Sequence, residues 1–320
     1  MNVRPRAKQH VPMSSPQWES ARAFPGGVFG EGHSFCSYTA MMVANPLHAI
    51  WSSVAPAWNQ YADFVDERGA KVGAAMLAAA DLQPGENVLE LGCGPGGVGI
   101  AAAEVVGVDG HVVLSDVVPE MTAIAEARAR QHGLGNVTVR QLDMEHIDAP
   151  DSSFDKVLGR EALMLVGDPV GAAREAIRVL RPGGRAVFAV WSKPAANPWL
   201  SALLDAVSTQ LGAPVPPPGV PGPFSLCEEG ALAGILSTAG FADVAIDEVE
   251  APLHAESFDD WWTVVPSLAG PLAALLNSLP DEATATIRAD AQQALTRYAD
   301  GSGYTIPGAS LIGVGHHNET

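Results

Sequence analysis

The sequence has little positive charge. Only 18 of its 320 residues are Lys or Arg, against 36 Asp and Glu, so the formal charge at pH 7 is −18. The deficit is greatest after Lys193, where Arg288 and Arg297 are the only basic residues. Nucleic acid and anionic membranes repel such a chain unless it carries a basic patch. We therefore expect no nucleic-acid partner.

Cysteine and long apolar runs are also scarce. Cys36, Cys93 and Cys227 lie far apart without a CxxC pair, which argues against a disulfide framework and against a metal site. No apolar run approaches the roughly 18 residues of a membrane span. Residues 1–41 are rich in Pro, Gly, Ser and Arg, lack the apolar stretch of a signal peptide, and are predicted to be a disordered leader. We expect a soluble, cytoplasmic protein.

Short apolar strands alternate with helical segments after the leader. The first five predicted strands are Val88–Leu91, His111–Ser115, Val137–Leu142, Phe154–Gly159 and Ala186–Trp191, and the last two are Val244–Pro252 and Tyr304–Val314. Strands separated by helices form a parallel sheet with helices on both faces. The fold class is therefore α/β, with 42–320 expected to form one domain. Its six prolines make 212–224 a stiff connector, and 257–300 is predicted to be a helical insertion between the last two strands.

A glycine-rich turn, Glu-Leu-Gly-Cys-Gly-Pro-Gly-Gly, follows the first of these strands and precedes a helix. There, glycines let a ligand approach the backbone, and the helix N-terminus faces it. Gly92, Gly94 and Gly97 fit the dinucleotide pattern GxGxxG, with Asp116 suitably spaced for an NAD ribose. With Gly96 as its third glycine, the turn equally fits the GxGxG loop of S-adenosylmethionine (SAM) enzymes. Spacing alone leaves both cofactors open.

Acidic residues at the strand ends favour SAM. Glu90 places a carboxylate two residues before the first glycine, where it would attract a cationic sulfonium and amino group but repel a pyrophosphate. Asp116 and Asp143 end the second and third strands. The first can accept both ribose hydroxyls, and the second can accept the adenine amino group. An NAD(P)-dependent oxidoreductase remains the alternative.

Four motifs then establish a resemblance. VLELGCGPGG, SDVVPEM, QLDMEHIDAPDSSFDKV and RVLRPGGRAVFAVW occur in this order at the expected strand ends. Together they resemble the class I SAM-dependent methyltransferase family, in particular its small-molecule branch, which includes ubiquinone/menaquinone C-methyltransferases. The resemblance covers roughly residues 46–316. It implies a Rossmann-like, seven-stranded sheet whose last strand is antiparallel and lies between the fifth and sixth.

The resemblance also implies a set of cofactor-binding residues: Glu90, Gly92, Cys93, Gly94, Gly96, Asp116, Val117, Asp143, Met144 and Arg160. In it, Glu90 and the glycine backbone hold the methionine part of SAM, and Asp116 binds the ribose. Val117 packs on the adenine, whose amino group and N1 meet Asp143 and the backbone of Met144. The backbone near Arg160 lies by the methionine amino group.

A general base is needed only where the methyl acceptor must lose a proton. His254 and Glu161 are the two candidate catalytic residues because both follow strands at the edge where such sheets bind ligands. The alternatives stay open at this point. His254 is more simply explained as a packed or solvated histidine, and Arg160 with Glu161 as a surface ion pair without a catalytic role.

The helical insertion is the candidate substrate cap. Its apolar residues that could line a pocket are Trp261, Trp262, Val264, Val265 and Leu268. Such a pocket favours an apolar or aromatic acceptor. The same residues could instead dock the helices on the sheet or form a homodimer surface. Trp51, Trp58 and Tyr61, near the start of the resemblance, are either core residues or part of a lid over the cofactor.

The leading hypothesis is therefore methyl transfer from SAM to a small apolar or aromatic molecule by in-line displacement. The alternatives are the oxidoreductase and a SAM-binding protein without transfer activity. The sequence does not reveal the identity of the acceptor, or whether its O, N or C atom is methylated.

Overall fold

The computed structural model describes residues 47–318. The leader predicted over 1–41 and Cys36 therefore lie outside the described residues. Among the residues described, no helix is both long enough and apolar enough to cross a membrane.

Helices and strands alternate through the first two thirds of the described chain, and three helices then separate two late strands. The helices are α1 (Leu47–Gln60), α2 (Ala62–Ala80), α3 (Gly97–Val106), α4 (Pro119–Gln131), α5 (Pro169–Val179), α6 (Pro198–Leu211), α7 (Ala231–Ala239), α8 (Phe258–Leu268), α9 (Pro271–Ser278) and α10 (Asp281–Leu295). The strands are β1 (Asn87–Leu91), β2 (His111–Asp116), β3 (Val137–Gln141), β4 (Phe154–Arg160), β5 (Leu180–Trp191), β6 (Ala242–Glu250), β7 (Leu253–Ala255), β8 (Tyr304–Ile306) and β9 (Ala309–His316).

Seven strands form one sheet in the order β3-β2-β1-β4-β5-β9-β6. The first five strands run parallel, and β9 is antiparallel to both of its neighbours, β5 and β6. The α/β fold class and the antiparallel last strand between the fifth and sixth are thus confirmed. Because β1 to β5 are parallel, their carboxyl ends meet at one edge of the sheet, which is where ligands of this architecture bind.

Two strands differ from the sequence prediction. β5 begins at Leu180, six residues earlier than expected, because Leu180 pairs with Phe154 and a bulge accommodates the Pro-Gly-Gly segment before the regular ladder resumes. Gly183 has φ +80° there, a conformation that glycine adopts without a Cβ penalty. The predicted strand from Tyr304 to Val314 is two strands, since Pro307 and Gly308 separate β8 from β9.

The helices between β7 and β8 pack on α6 around their own apolar cluster. Trp261 is only 1% exposed, and its indole Nε1 donates a hydrogen bond to the backbone oxygen of Trp199 at 3.0 Å. Ile287 and Leu295 of α10 are completely buried in the same cluster. The segment 257–300 is therefore helical and well packed, and it presents only part of its apolar surface to the sheet edge.

Candidate functional site

A cavity of about 380 Å³ lies at the carboxyl ends of β1, β2, β4 and β5. Its wall combines the glycine turn after β1 with apolar side chains from the helices. The residues that line it include all ten predicted cofactor residues except Gly96, together with Glu161. The structure therefore brings together side chains that lie up to about 70 residues apart in sequence.

The backbone of the glycine turn requires glycine at three positions. Gly92, Gly94 and Gly96 have φ angles of +62°, +51° and +87°, which L side chains rarely adopt. A Cβ atom on Gly92 would lie 2.5 Å from the Cβ of Ala162. The Cys93 amide fixes the turn by donating a hydrogen bond to the Ser115 oxygen at 2.8 Å. The loop thus exposes backbone to the cavity where a side chain would clash.

Glu90 lies under this turn and is 1% exposed. Its Oε2 accepts a hydrogen bond from the Gly99 amide at 2.9 Å. Burial raises the pKa of Glu90 to about 8, although the nearby Arg160 guanidinium acts in the opposite direction. The carboxyl group therefore holds a proton at neutral pH, and a cation placed beside it would favour its ionised form.

Asp116 ends β2 with both carboxylate oxygens turned to the backbone. Oδ2 accepts a hydrogen bond from the Gly94 amide and Oδ1 from the Val118 amide, each at 2.9 Å. Burial raises the pKa of Asp116, against the effect of these two amides. Each oxygen retains a lone pair, so the carboxylate can still accept hydrogen bonds from two hydroxyl groups.

The three residues predicted to meet the adenine, Val117, Asp143 and Met144, line the same cavity as Asp116. Val117 is 41% exposed and lines the cavity together with Met144, which lies in the loop after β3. Asp143 is exposed, and its Oδ1 accepts a hydrogen bond from the Glu145 amide at 2.9 Å. The second oxygen of Asp143 lies 3.8 Å from the His146 Nδ1, so it remains available to a donor from a ligand.

Arg160 and Glu161 are not a surface ion pair, so that alternative is wrong. Their side chains are about 10% exposed, and each pairs with a residue of α2 instead of with its neighbour. Arg160 Nη2 lies 3.3 Å from Asp66 Oδ1. Arg128 also pairs with Asp66, at 2.7 Å, and donates a hydrogen bond to the Pro95 oxygen in the glycine turn. These contacts tie α2 to both β4 and the turn.

Glu161 sits in the cavity wall immediately after β4, with a φ angle of +56° that is uncommon for a residue other than glycine. Its Oε2 lies 2.5 Å from Arg68 Nη2, and its Oε1 accepts a hydrogen bond from the Ser310 hydroxyl at 3.1 Å. Burial acts to raise the pKa of Glu161, but the guanidinium groups of Arg68 and Arg160 hold it below its usual value. Glu161 is therefore an ionised carboxylate at neutral pH.

His254 lies outside the residues that line the cavity. It is exposed on β7, and its Nδ1 is 3.2 Å from the Thr305 hydroxyl oxygen on the paired strand β8. Thr305 in turn donates a hydrogen bond to Asp300 at 3.0 Å. Of the two candidate bases, the structure brings only Glu161 to the glycine turn.

Apolar side chains form the rest of the cavity wall. They include Trp51, Trp58, Val118, Met121, Leu142, Leu165, Val166, Trp191, Leu200, Leu204, Val215, Leu268 and Leu272. Among the five insertion residues expected to line a pocket, only Leu268 does so, and its backbone oxygen accepts a hydrogen bond from the Trp58 Nε1 at 3.0 Å. Pro216, Pro221 and Pro223 of the connector complete this side. Within 47–318 there is no cluster of residues suited to hold a metal ion.

Sequence reasoning missed three contributors to the site. Asp66 and Arg68 lie on a helix whose polar residues resemble an ordinary solvated face, so no motif marks them. Trp191 ends β5, and its position at the carboxyl end of a parallel strand is the signal that could have identified it.

This chain is similar to known methyltransferases in sequence and fold. A family model described as a methyltransferase domain matches residues 82–213. The nocamycin O-methyltransferase of Saccharothrix syringae is 34% identical over 192 residues, which cover 57% of this chain and 68% of that protein. The ubiquinone/menaquinone biosynthesis C-methyltransferase UbiE of Vibrio campbellii is 38% identical over 130 residues, or 40% of this chain.

The similarity to UbiE is partial, since the chain spans about half the length of that curated relative, 50%. Among solved structures, a candidate methyltransferase from Bacillus halodurans C-125 superposes with a TM-score of 0.50 at 22% identity. The superposition covers 77% of this chain and 98% of that one, and it shows a shared fold.

Proposed function

The chain belongs to the class I SAM-dependent methyltransferases, and from that premise we propose that it transfers the SAM methyl group to a small apolar or aromatic molecule by in-line displacement. The observation that carries the proposal is that one cavity joins the glycine turn to an apolar wall. Cofactor and acceptor can therefore meet in a single water-poor space. The NAD(P)-dependent alternative is not favoured by the comparisons.

The residues around the glycine turn fit SAM. Bound SAM supplies an electrophilic methyl group on a cationic sulfonium. Gly92, Gly94 and Gly96 let its methionine part approach the backbone, and Glu90 provides a buried carboxyl group that a cation would ionise. Arg160 completes the wall at this end, and Cys93, which burial keeps as a thiol by raising its pKa, lies between the glycines.

The nucleoside end would occupy the neighbouring part of the same cavity. The free lone pairs of Asp116 accept the ribose hydroxyls, and Val117 covers one face of the adenine. Asp143 and the backbone of Met144 then meet the polar edge of the base. These four residues contribute orientation: they fix the methyl group relative to the apolar wall.

The acceptor side contributes mainly positioning and exclusion of water. Methyl transfer from a sulfonium needs little covalent help from the protein, so alignment of the reacting atoms supplies much of the rate. We infer that 257–300 acts as a cap and 212–224 as a stiff wall segment, because Leu268, Leu272 and the connector prolines line the same cavity as the glycine turn. Their apolar character favours an apolar or aromatic acceptor.

Glu161 is the proposed catalytic residue. It lines the cavity that the glycine turn and the apolar side chains share and is ionised at neutral pH, so it can hold a proton that the acceptor loses. Its low pKa makes it a weak base for a neutral hydroxyl but a sufficient one for an oxygen that becomes cationic as its new bond forms. His254 was predicted for this role as well, but its exposed position on β7 gives it no part in the proposal.

Labelled-methyl transfer tests the proposal. Purified protein is incubated with methyl-labelled SAM and a metabolite extract of the host, and the products are partitioned between organic solvent and water. We expect label in an organic-soluble small molecule. Label that remains in water-soluble products would refute the apolar acceptor, and SAM binding without any transfer would favour a binding protein without activity.

A further inference from the structure

Trp191 carries an indole N–H that has no partner. It is the last residue of β5 and lines the cavity. Its Nε1 is fully buried, yet no atom in the described part of the chain accepts a hydrogen bond from it. Trp58, Trp199 and Trp261 all donate their Nε1 protons to protein oxygens, at 3.0 to 3.1 Å. A buried donor without a partner costs about 1–3 kcal/mol, so its retention in a cavity wall indicates a ligand oxygen.

The Glu161 carboxylate lies close to this N–H. The Trp191 indole helps to keep the pKa of Glu161 low, but the two groups do not meet with hydrogen-bond geometry. Arg68 occupies one site on Oε2, and the Ser310 hydroxyl occupies one on Oε1. A carboxylate has about four acceptor sites, so Glu161 can still accept a hydrogen bond from a ligand. The residues of the cavity wall thus include a donor and an acceptor that lie near each other.

Charge balance at this position favours a neutral ligand group. Arg68 lies 2.5 Å from Glu161, and its guanidinium also rests over the Trp199 ring at 4.9 Å and the Trp191 ring at 5.9 Å. The Glu161 charge is therefore already compensated within the protein. An ammonium group would gain little from the carboxylate and would leave the Trp191 N–H unpaired. A carbonyl oxygen would accept a hydrogen bond from the Trp191 N–H. It has no proton to donate to the Glu161 carboxylate, so the two oxygens would repel each other.

We propose that Trp191 Nε1 and the Glu161 carboxylate together recognise a hydroxyl group of the methyl acceptor. The acceptor is then an otherwise apolar alcohol, phenol or enol. Its hydroxyl accepts a hydrogen bond from Trp191 and donates one to Glu161, which a hydroxyl can do at a single oxygen atom. The inference rests on the proposed function, since it names the substrate class of that same cavity.

Binding of two probes of similar shape tests this assignment. Full-length protein is saturated with S-adenosylhomocysteine, which cannot transfer a methyl group, and titrated with 2-naphthol or 2-methylnaphthalene. We expect wild-type protein to bind 2-naphthol about tenfold more tightly, the effect of one satisfied buried hydrogen bond. Trp191→Phe should remove most of this preference. Because Trp191 itself lines the cavity, the readout is the ratio of the two affinities, in which a change of packing common to both probes cancels. Trp262→Phe is the matched control, because Trp262 does not line the cavity. This variant should keep the preference for 2-naphthol.

An indole ¹⁵N–¹H spectrum gives a second readout that does not depend on the stability of the variant. The Trp191 resonance should move downfield with 2-naphthol and stay in place with 2-methylnaphthalene. Equal affinity of the wild-type protein for both probes, or a preference that persists in Trp191→Phe, would overturn the inference while leaving methyl transfer intact. Failure of the wild-type protein to bind S-adenosylhomocysteine and SAM would overturn the proposed function and the inference together.

Discussion

Arg68 and Glu161 form a buried ion pair that joins α2 to the end of β4, with 2.5 Å between Nη2 and Oε2. Both side chains are about 10% exposed or less, and Arg68 also stacks on two tryptophan rings. The pair fixes the carboxylate that the proposed reaction uses, and it anchors an N-terminal helix under the cavity. A single contact thus couples the stability of the fold to the geometry of the site.

Arg68→Met should destabilise the protein by about 3–5 kcal/mol, because it leaves the Glu161 carboxylate buried without a partner. The double variant Arg68→Met/Glu161→Gln should lose less than Arg68→Met alone, since neither charge then remains unpaired. Urea denaturation of the three proteins measures both effects. Equal losses in the single and double variants would mean that the carboxylate does not depend on Arg68.

Gly92→Ala should abolish SAM binding and destabilise the protein. The new Cβ would lie 2.5 Å from the Cβ of Ala162. The alanine would also have to adopt the φ of +62° that the turn requires, which is strained for a residue with a Cβ. Gly212→Ala is the control, because Gly212 has a φ of +67° but no atom within 4 Å of its ideal Cβ. It should lose only the strain energy of about 1–2 kcal/mol and bind SAM normally. Calorimetric titration with SAM separates the two, and normal SAM binding by Gly92→Ala would contradict the assigned role of the turn.

SAM affinity should rise with pH from about 6 to 8 and then level off. Glu90 has a pKa of about 8 because it is buried, and it must lose its proton to pair with the sulfonium and amino groups. Each pH unit below that pKa lowers the ionised fraction about tenfold. Titration calorimetry in buffers of different ionisation enthalpy should report proton release on binding at pH 7.

Glu90→Gln provides the control for this pH effect, since it should bind SAM more weakly and without the rise. The ligand-free protein gives a second check. Because the folded pKa of Glu90 lies above its usual value of 4.5, its contribution to stability is present below that value and is lost as pH rises to about 8. Wild-type stability should therefore fall over this window relative to Glu90→Gln. A parallel pH dependence in both proteins would remove Glu90 from the account.

Leu272→Ala should raise the KM for the acceptor without changing the affinity for SAM, because Leu272 is an apolar residue of the cavity wall and is not one of the proposed SAM-binding residues. Leu276, one turn along the same helix α9, is also buried but does not line the cavity. Leu276→Ala is therefore the matched control. Both variants should lose about 2–4 kcal/mol of stability, whereas only Leu272→Ala should alter steady-state kinetics with the acceptor found in the extract. An unchanged KM would argue against the wall as the acceptor site.

That the proposed cofactor residues line one cavity could be predicted because these residues follow the strands directly. The glycine turn and Asp116 are fixed by β1 and β2, and parallel strand ends meet at one edge whatever the helices do. The position of each of these residues therefore follows from the strand that precedes it in the sequence. The order of the strands in the sheet could be inferred from the resemblance. The bulge at the start of β5 could not be inferred, because it depends on the pairing of Leu180 with Phe154.

The acceptor half could not be predicted to the same depth because it is built by tertiary packing. Arg68 belongs to the site because α2 packs against the end of β4, and Trp261 is a core residue because α8 packs on α6. His254 follows β6 in sequence, yet the short β7–β8 pair turns it to solvent. Periodicity shows that a face is apolar, but it does not say which element covers that face.

A crystal structure with S-adenosylhomocysteine and the identified methyl acceptor would show whether one cavity holds both ligands. We expect the ribose at Asp116 and the acceptor between Trp191 and Leu272, with its reacting atom on the side of Glu161. An acceptor bound outside this cavity, for example beside His254, would contradict this expectation.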